Sequence, residues 1–382
     1  KYHENFDSVI NKPIEHYSEA VNIYQLEDLA NSKFDLTTYS YYNFGAMDHQ
    51  SYDENMKAFK RYRILPRVLV DVSKVNTEVS LLGEKISMPI CIAPAAYHKY
   101  ANHEGEIGTS KAANELDTIF CVSNISSVSQ SEIAKVLKNK WKQLYVMSNL
   151  SITEKAIKNI ERAGYTVLVI TVDMTTAGIR ELDMIGKSHQ SPDNKIIPDQ
   201  NAGDSKKKSK MGTGQYISAS FSTSLCWDII PWIKERTNMK LVVKGIHRAD
   251  DAVKAVKAGV DGIYVSNHGG RQVESTPGTI DMLALIMERL RKEGLEKKVE
   301  VYVDGGIRRG SDIFKAMAVG AKAVFCGRPA LWGLGAGGKE GVVKAFELLK
   351  REFVNTMMLA GCTDPSQISR EHIMTRDSLP KF

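Results

Sequence analysis

The chain has 382 residues, 43% hydrophobic and 25% charged, the composition of a globular protein with room for a sizeable core. Its net charge of +6, from 51 basic and 45 acidic side chains, is mild at this length, and no aromatic-interleaved basic stripe marks a nucleic-acid surface. No apolar run reaches the roughly 18–20 residues of a membrane span, so neither a nucleic-acid partner nor stable membrane insertion is expected.

The opening "KYHENFDSVI" lacks the apolar stretch of a secretory signal. "NIYQLEDLANSKFDLTTYSYYNFGA" follows, helical in pattern and rich in aromatics. It reads as part of an N-terminal extension, residues 1–87, that brings Tyr41 or Tyr42 to a site elsewhere.

From residue 88 the pattern changes. Short β-type runs occur at 88–96, 118–124, 142–147, 166–173, 240–246, 261–267, 300–306 and 323–328. Amphipathic stretches lie between most of them, among them 151–164, 248–259 and 310–320, and the last two close on glycine. Eight strands alternating with helices predict a (β/α)8 barrel over 88–350, followed by a tail, 351–382. A doubly wound open sheet would carry a Gly-rich dinucleotide turn after its first strand, and "APAAYHKY" is not one.

The connection from 174 to 239 is too long for an ordinary βα loop. Its centre, 187–213, is polar and includes "SKKKSK" at 205–210. A segment of this kind is a solvated mobile loop or a lid that steers anions.

In a barrel, chemistry sits on the loops after the strands, and there the polar residues collect. Gln143 and Tyr145 stand on strand three, Thr171 and Asp173 end strand four, and Lys244 lies on strand five. Ser266, Asn267 and His268 follow strand six, Asp304, Gly305 and Gly306 strand seven, and Gly327 and Arg328 strand eight. "DGGIRRG" (304–310) and "CGRP" (326–329) sit where such barrels hold phosphate, with Arg308 and Arg328 supplying charge. A lysine inside an apolar strand needs an anion or a polar cofactor near Lys244.

"VSNHGGRQ" (265–272) places a base, two glycines and a cation at one strand mouth. Here His268 is expected to act as the base, the glycines to let a ligand approach, and Arg271 to hold an acid. Asp173 is expected to pair with His268 and raise its pKa. Arg180, seven residues beyond Asp173, completes a two-arginine carboxylate clamp.

The five cysteines show no CxxC pair and no zinc-type cluster with histidine. This usage points to a reducing, intracellular compartment and no structural metal, with peroxisome and cytoplasm undistinguished.

These motifs, with "YYNFGA", "FKRYRILPRVLVDVSKV", "MPICIAPAA", "QLYV" and "VKGI", resemble the FMN-dependent L-2-hydroxy acid oxidases and dehydrogenases over essentially the whole chain. The resemblance implies FMN as cofactor, a small 2-hydroxy acid as substrate, O2 as acceptor and a homotetramer. It implies a catalytic role for His268, Asp173, Tyr145 and Tyr41. It places the substrate carboxylate on Arg271 and Arg180, with Tyr41 assisting. Flavin contacts fall on Pro94, Ala95, Ala96, Ser123, Gln143, Thr171, Lys244 and Ser266. Asp304 takes the ribityl chain, and Gly306, Arg308, Gly327 and Arg328 the phosphate. Ala95 stands where many members carry Thr. Ile125 and Ala177 replace the Trp and Leu of plant-type glycolate oxidases, which predicts a pocket open to acids longer than glycolate. The rival classes are a dehydrogenase with a separate acceptor, and a flavin-binding barrel without turnover.

Overall fold

A computed structural model describes residues 12–181 and 221–375. Three helices open it, α1 (Ile23–Lys33), α2 (Leu36–Asn43) and α3 (Gln50–Phe59). Side-chain caps start the first two: the Asn22 carboxamide accepts from the Gln25 N–H at 3.0 Å, and the Asp35 carboxylate from the Thr38 N–H at 2.7 Å. Strand β1 (Tyr62–Ile64) and the antiparallel hairpin β2 (Val79–Leu81) and β3 (Glu84–Ile86) follow. The segment expected to be helical thus also contributes three strands.

The barrel strands are β4 (Ile90–Ile92), β5 (Phe120–Val122), β6 (Lys140–Tyr145), β7 (Val167–Thr171), β8 (Lys240–Ile246), β9 (Gly262–Val265), β10 (Glu300–Val303) and β11 (Ala323–Cys326). All pairings are parallel and the ring closes through β11 against β4, as the sequence predicts. The helices between them include α4 (His98–Ala101), α5 (Gly105–Glu115), α6 (Gln130–Val136), α7 (Leu150–Arg162), α8 (Ile229–Lys234), α9 (Ala249–Lys257), α10 (Thr279–Lys292) and α11 (Gly310–Val319). The helical stretch α12 (Arg328–Leu359), broken by non-helical backbone at Gly337 and Gly338, runs across the boundary drawn at 350 and packs on α1. Strand β12 (Ile373–Thr375) then pairs with β1, Ile64 opposite Ile373. Residues 187–213 with their basic run, and the last seven residues of the expected tail, lie outside the described residues. Part of the expected loop is regular: Phe221 bridges to Met147 and α8 precedes β8. Among the described residues no helix is long and apolar enough to cross a membrane.

Strand alternation builds the site. Side chains at i and i+2 share a face, so Ile90, Phe120, Leu144, Leu168, Val243 and Val301 go outward into the helical layer. Cys91, Cys121, Trp141, Val169, Val242, Tyr264, Tyr302 and Phe325 go inward and fill the barrel. Leu81 and Ile86 of the β2–β3 hairpin join that inner cluster. Two residues further along each inward row stand Ala93, Ser123, Gln143, Thr171, Lys244, Ser266, Asp304 and Gly327. An aromatic floor therefore carries a polar layer at the C-terminal mouth.

Candidate active site

The polar layer is buried and largely self-bonded. Gln143 donates through Nε2 to Thr171 Oγ1 at 3.0 Å and accepts from the Asn124 N–H at 2.9 Å. Lys244, only 4% exposed, donates to Ser266 Oγ at 2.9 Å, and its Nζ lies 3.7 Å from Asp304 Oδ2. Asp304 Oδ1 is buried without a partner. A carboxylate oxygen left so in a barrel mouth fits a ligand that brings a hydroxyl. Pro94, Ala95 and Ala96 are half-buried beside this layer, and Ser123 is buried in it.

The two Gly-rich loops lie after β10 and β11. Gly306 has φ +80°, and a Cβ there would sit 2.1 Å from the Asn55 carbonyl oxygen, so only glycine fits. Arg308 is buried; Nη1 donates to the Ile307 carbonyl at 2.9 Å, Cζ lies 4.6 Å from the centre of the Trp332 ring, and Nε has no partner. Arg328 bonds the carbonyls of Tyr42 (2.8 Å), Gly269 (3.0 Å) and Phe44 (3.3 Å) through Nε, Nη1 and Nη2. A guanidinium has five N–H donors, so one on each terminal nitrogen remains for an anion. Burial lowers its pKa to about 10. The unpartnered hydroxyl acceptor, the buried lysine and the two arginines over Gly loops fit a phosphorylated, polyhydroxyl cofactor.

Above this layer, His268 Nδ1 meets Asp173 Oδ1 at 3.0 Å. His268 is held at φ +57°, rare for a residue with a Cβ, and its N–H donates to Ser266 Oγ at 3.1 Å. Burial lowers the His268 pKa; Asp173 pulls upward, but Lys244 and Arg271 add to the lowering. The expected rise is thus corrected: the carboxylate's pull is outweighed by desolvation and two cations. For Asp173, burial favours the neutral acid, yet His268, Lys244 and His247 together hold the carboxyl below its ordinary range.

The substrate-side residues converge as well. Burial pushes the Tyr145 hydroxyl well above its usual range, Asp173 and Tyr41 push the same way, and Arg180 and Arg271 oppose them. Arg271 donates through Nη1 to the Tyr41 and Phe44 carbonyls and lies 4.9 Å over the Tyr41 ring. Tyr42 instead braces the loop after β4, its hydroxyl donating to the Tyr97 carbonyl at 2.6 Å.

A second correction concerns Gly269 and Gly270. Both have positive φ, +67° and +77°, but the space they leave is filled by protein. A Cβ on Gly270 would lie 2.5 Å from the Tyr52 nitrogen, and one on Gly269 2.8 Å from Arg328 Nη1. These glycines let α3 and Arg328 approach the loop.

Sequence reasoning gave no part to Gln272 or Asn55, and placed Asn267 at the strand mouth without a partner, yet these three fix the loop. Gln272, the last residue of "SNHGGRQ", donates to the Asp173 and Thr176 carbonyls at 2.9 Å each and accepts from the Gly178 N–H at 3.1 Å. It thereby ties the His268 loop to the loop of Asp173. Asn267 and Asn55 exchange reciprocal amide bonds at 2.8 Å, anchoring the same loop on α3. A carboxamide directly after a Gly-Gly-Arg run was the available signal for Gln272. His247 gave none; its Nε2 is buried without a partner.

A sequence profile described as FMN-dependent dehydrogenase matches residues 30–375. A peroxisomal (S)-2-hydroxyacid oxidase of Arabidopsis thaliana is 41% identical over 360 residues, covering 94% of this chain and 98% of its own length. The 2-hydroxyacid oxidase 1 of Homo sapiens is 37% identical over 356 residues, 90% of this chain and 94% of its own. Among solved structures, the recombinant flavin-binding domain of baker's yeast flavocytochrome b2 superposes with a TM-score of 0.85 at 32% identity, covering 99% of this chain and 92% of that one. The monotopic membrane protein (S)-mandelate dehydrogenase gives 0.85 at 30%, covering 94% and 100%.

Proposed function

The chain belongs to the FMN-dependent dehydrogenase family, and from that premise we propose an (S)-2-hydroxy-acid oxidase in which His268, Asp173, Arg180 and Arg271 handle the substrate. The reaction is an L-2-hydroxy acid plus O2 giving a 2-oxo acid plus hydrogen peroxide. FMN, when bound, supplies the two-electron acceptor that links the acid's oxidation to reduction of O2.

The chain's own groups do the rest. Arg271 and Arg180 bind the carboxylate, with Tyr41 assisting, and so fix which face of Cα is presented. His268, neutral in the free enzyme, takes a proton from the hydroxyl or from Cα. Asp173 orients the ring and stabilises its charged form. Tyr145 donates to the substrate oxygen. Pro94, Ala95, Ala96, Ser123, Gln143, Thr171, Lys244, Ser266, Asp304, Gly306, Arg308, Gly327 and Arg328 would hold the cofactor. Lys244 would place a buried cation beside the bound cofactor, favouring its negatively charged form.

The His268–Asp173 contact at 3.0 Å, beside a polar layer with a buried lysine, is the observation that carries this reading. A homotetramer is part of it. Val68, Leu69 and Val70 are exposed at 77%, 103% and 42%, and Leu359 at 70%. The Arg67 N–H bonds the Ala360 carbonyl at 3.1 Å, which sets the two apolar segments side by side. An apolar surface of this kind supports subunit contact.

Anaerobic titration of the yellow holoenzyme with L-lactate, glycolate and a longer hydroxy acid, followed by air, tests the proposal. Bleaching of the flavin band and rapid recovery with peroxide is the expected result. Bleaching with recovery slower than seconds supports a dehydrogenase with another acceptor, and no bleaching by any of the acids refutes the activity.

A further inference from the structure

We propose that Tyr97 is the size-setting wall of the substrate pocket, the surface against which the side chain of the 2-hydroxy acid is sorted. The inference rests on the oxidase reading and adds a specificity residue to it. Tyr97 directly follows Pro94–Ala96 and has φ +56° and ψ +50°, left-handed backbone that is unfavourable for any residue with a Cβ. Such strain persists only where the surroundings enforce it. Here the Tyr97 N–H donates to the Ile125 carbonyl at 3.1 Å, and its own carbonyl accepts from the Tyr42 hydroxyl at 2.6 Å and the Tyr100 N–H at 2.8 Å.

The ring contacts say what the strain achieves. Tyr97 stacks on Tyr100 with centroids 5.0 Å apart and planes 20° apart, and meets Tyr41 edge-on at 5.8 Å and 62°. The other face of the relation is Arg271, whose guanidinium carbon lies 4.9 Å from the Tyr41 ring centre. Contacts therefore run unbroken from the carboxylate-binding arginine to Tyr97.

Tyr97 also belongs to a third apolar cluster, distinct from the barrel interior and the helical layer. Its buried members are Tyr97, Ile125, Tyr145, Met147 and Phe221, and none is charged. Tyr145 stacks on Phe221 at 4.4 Å and feels the charge of Asp173. The cluster thus borders the base through Tyr145 and the clamp through Tyr41. Cα of a 2-hydroxy acid bears a carboxylate, a hydroxyl, a hydrogen and a side chain. The charged groups take the first two, and the hydrogen is the atom lost in the oxidation. The uncharged wall is left for the side chain.

This alters what Ile125 means. A smaller residue there predicts a wider pocket, but Tyr97 is bonded to the Ile125 backbone and brings a full aromatic ring into the same cluster. The bulk that sets the size limit is moved from one loop to another.

The test compares the parent holoenzyme with Tyr97→Ala and Tyr97→Phe. Read kcat/KM for L-lactate and L-3-phenyllactate, and separately the Kd of pyruvate and phenylpyruvate from perturbation of the flavin spectrum. In Tyr97→Ala the preference for the phenyl acid over lactate should rise at least tenfold, and oxo-acid binding should shift the same way. Tyr97→Phe, which keeps the ring, should leave both ratios within threefold. Ratios within threefold of the parent in Tyr97→Ala overturn the proposal. Should Tyr97→Ala fail to retain FMN, Tyr97→Leu is read by the same two thresholds. Failure of the oxidase reading is separate: the parent then turns over no hydroxy acid, while the oxo-acid binding ratio still tests Tyr97.

Discussion

Replacing Asp173 by Asn removes a charge and little volume, so it isolates what the carboxylate does for His268. The contact is 3.0 Å between Nδ1 and Oδ1, with the Asp173 side chain 2% exposed. Allowing for charge spread over the ring, the two centres are about 4 Å apart, worth about 4 kcal/mol at an effective dielectric near 20. That is roughly a thousandfold in any step that leaves His268 protonated. Anaerobic stopped-flow bleaching of the flavin by L-lactate should slow by about that factor, while FMN content and the Kd for pyruvate stay within a few-fold. The pH profile gives an independent reading. In the proposed role His268 is neutral in the free enzyme, and burial, Lys244 and Arg271 all favour that form against Asp173. The acidic limb of kcat/KM in the parent therefore lies below the ordinary imidazole value of about 6.5, with activity falling as pH drops through it. In Asp173→Asn the charge that pulls this pKa upward is gone, so the limb moves lower still. A rate loss under tenfold, or a limb that moves upward, refutes the assigned role.

Lys244→Met leaves the Asp304 carboxylate, 8% exposed and otherwise 3.7 Å from Nζ, uncompensated inside the barrel. Breaking such a buried pair costs about 3–5 kcal/mol, which denaturant unfolding should show; an unchanged midpoint would refute a stabilising Lys244–Asp304 pair. Gly270→Ala combines φ +77° with a Cβ 2.5 Å from the Tyr52 nitrogen, whereas Gly83→Ala has φ +95° and nothing within 4 Å. The Gly83 variant should lose only the backbone cost of about 1–2 kcal/mol, and the Gly270 variant should lose clearly more, together with substrate-driven bleaching. Equal losses in thermal unfolding would show that α3 yields freely. Leu69→Asp places a charge on the exposed apolar segment and should reduce the particle mass in sedimentation velocity; an unchanged particle removes that segment from the assembly.

The barrel was legible because its signal is local. Each strand is a short apolar run ending in a polar or glycine residue, and in the structure each expected run overlaps its strand. Much of the site was legible for a related reason: period-two alternation puts Lys244 two positions above Val242 and Asp304 two above Tyr302, on the inward row. What escaped was non-local. "VSLLGEKI" shows no reason to plug a barrel, yet Leu81 and Ile86 are buried with Trp141 and Phe325, residues far along the chain. The glycines of "HGGRQ" suggested ligand space because a positive φ is visible in composition, whereas the neighbour that fills the gap, Tyr52, is not.

The direction of the His268 shift escaped for the same reason. A histidine next to an aspartate reads as a raised pKa when only the pair is considered. The fold adds desolvation, Lys244 from the next strand and Arg271 from three residues on, and together they outweigh Asp173. The reversal suits the chemistry. A base that must accept a proton needs to be neutral when the substrate arrives, and its partner carboxylate is needed after the proton has moved. Desolvation and the two cations serve the first condition, and Asp173, held ionised against its own burial, serves the second. Neither condition is met by the pair alone, so in the proposed mechanism Lys244 and Arg271 act with Asp173 as one electrostatic unit around His268.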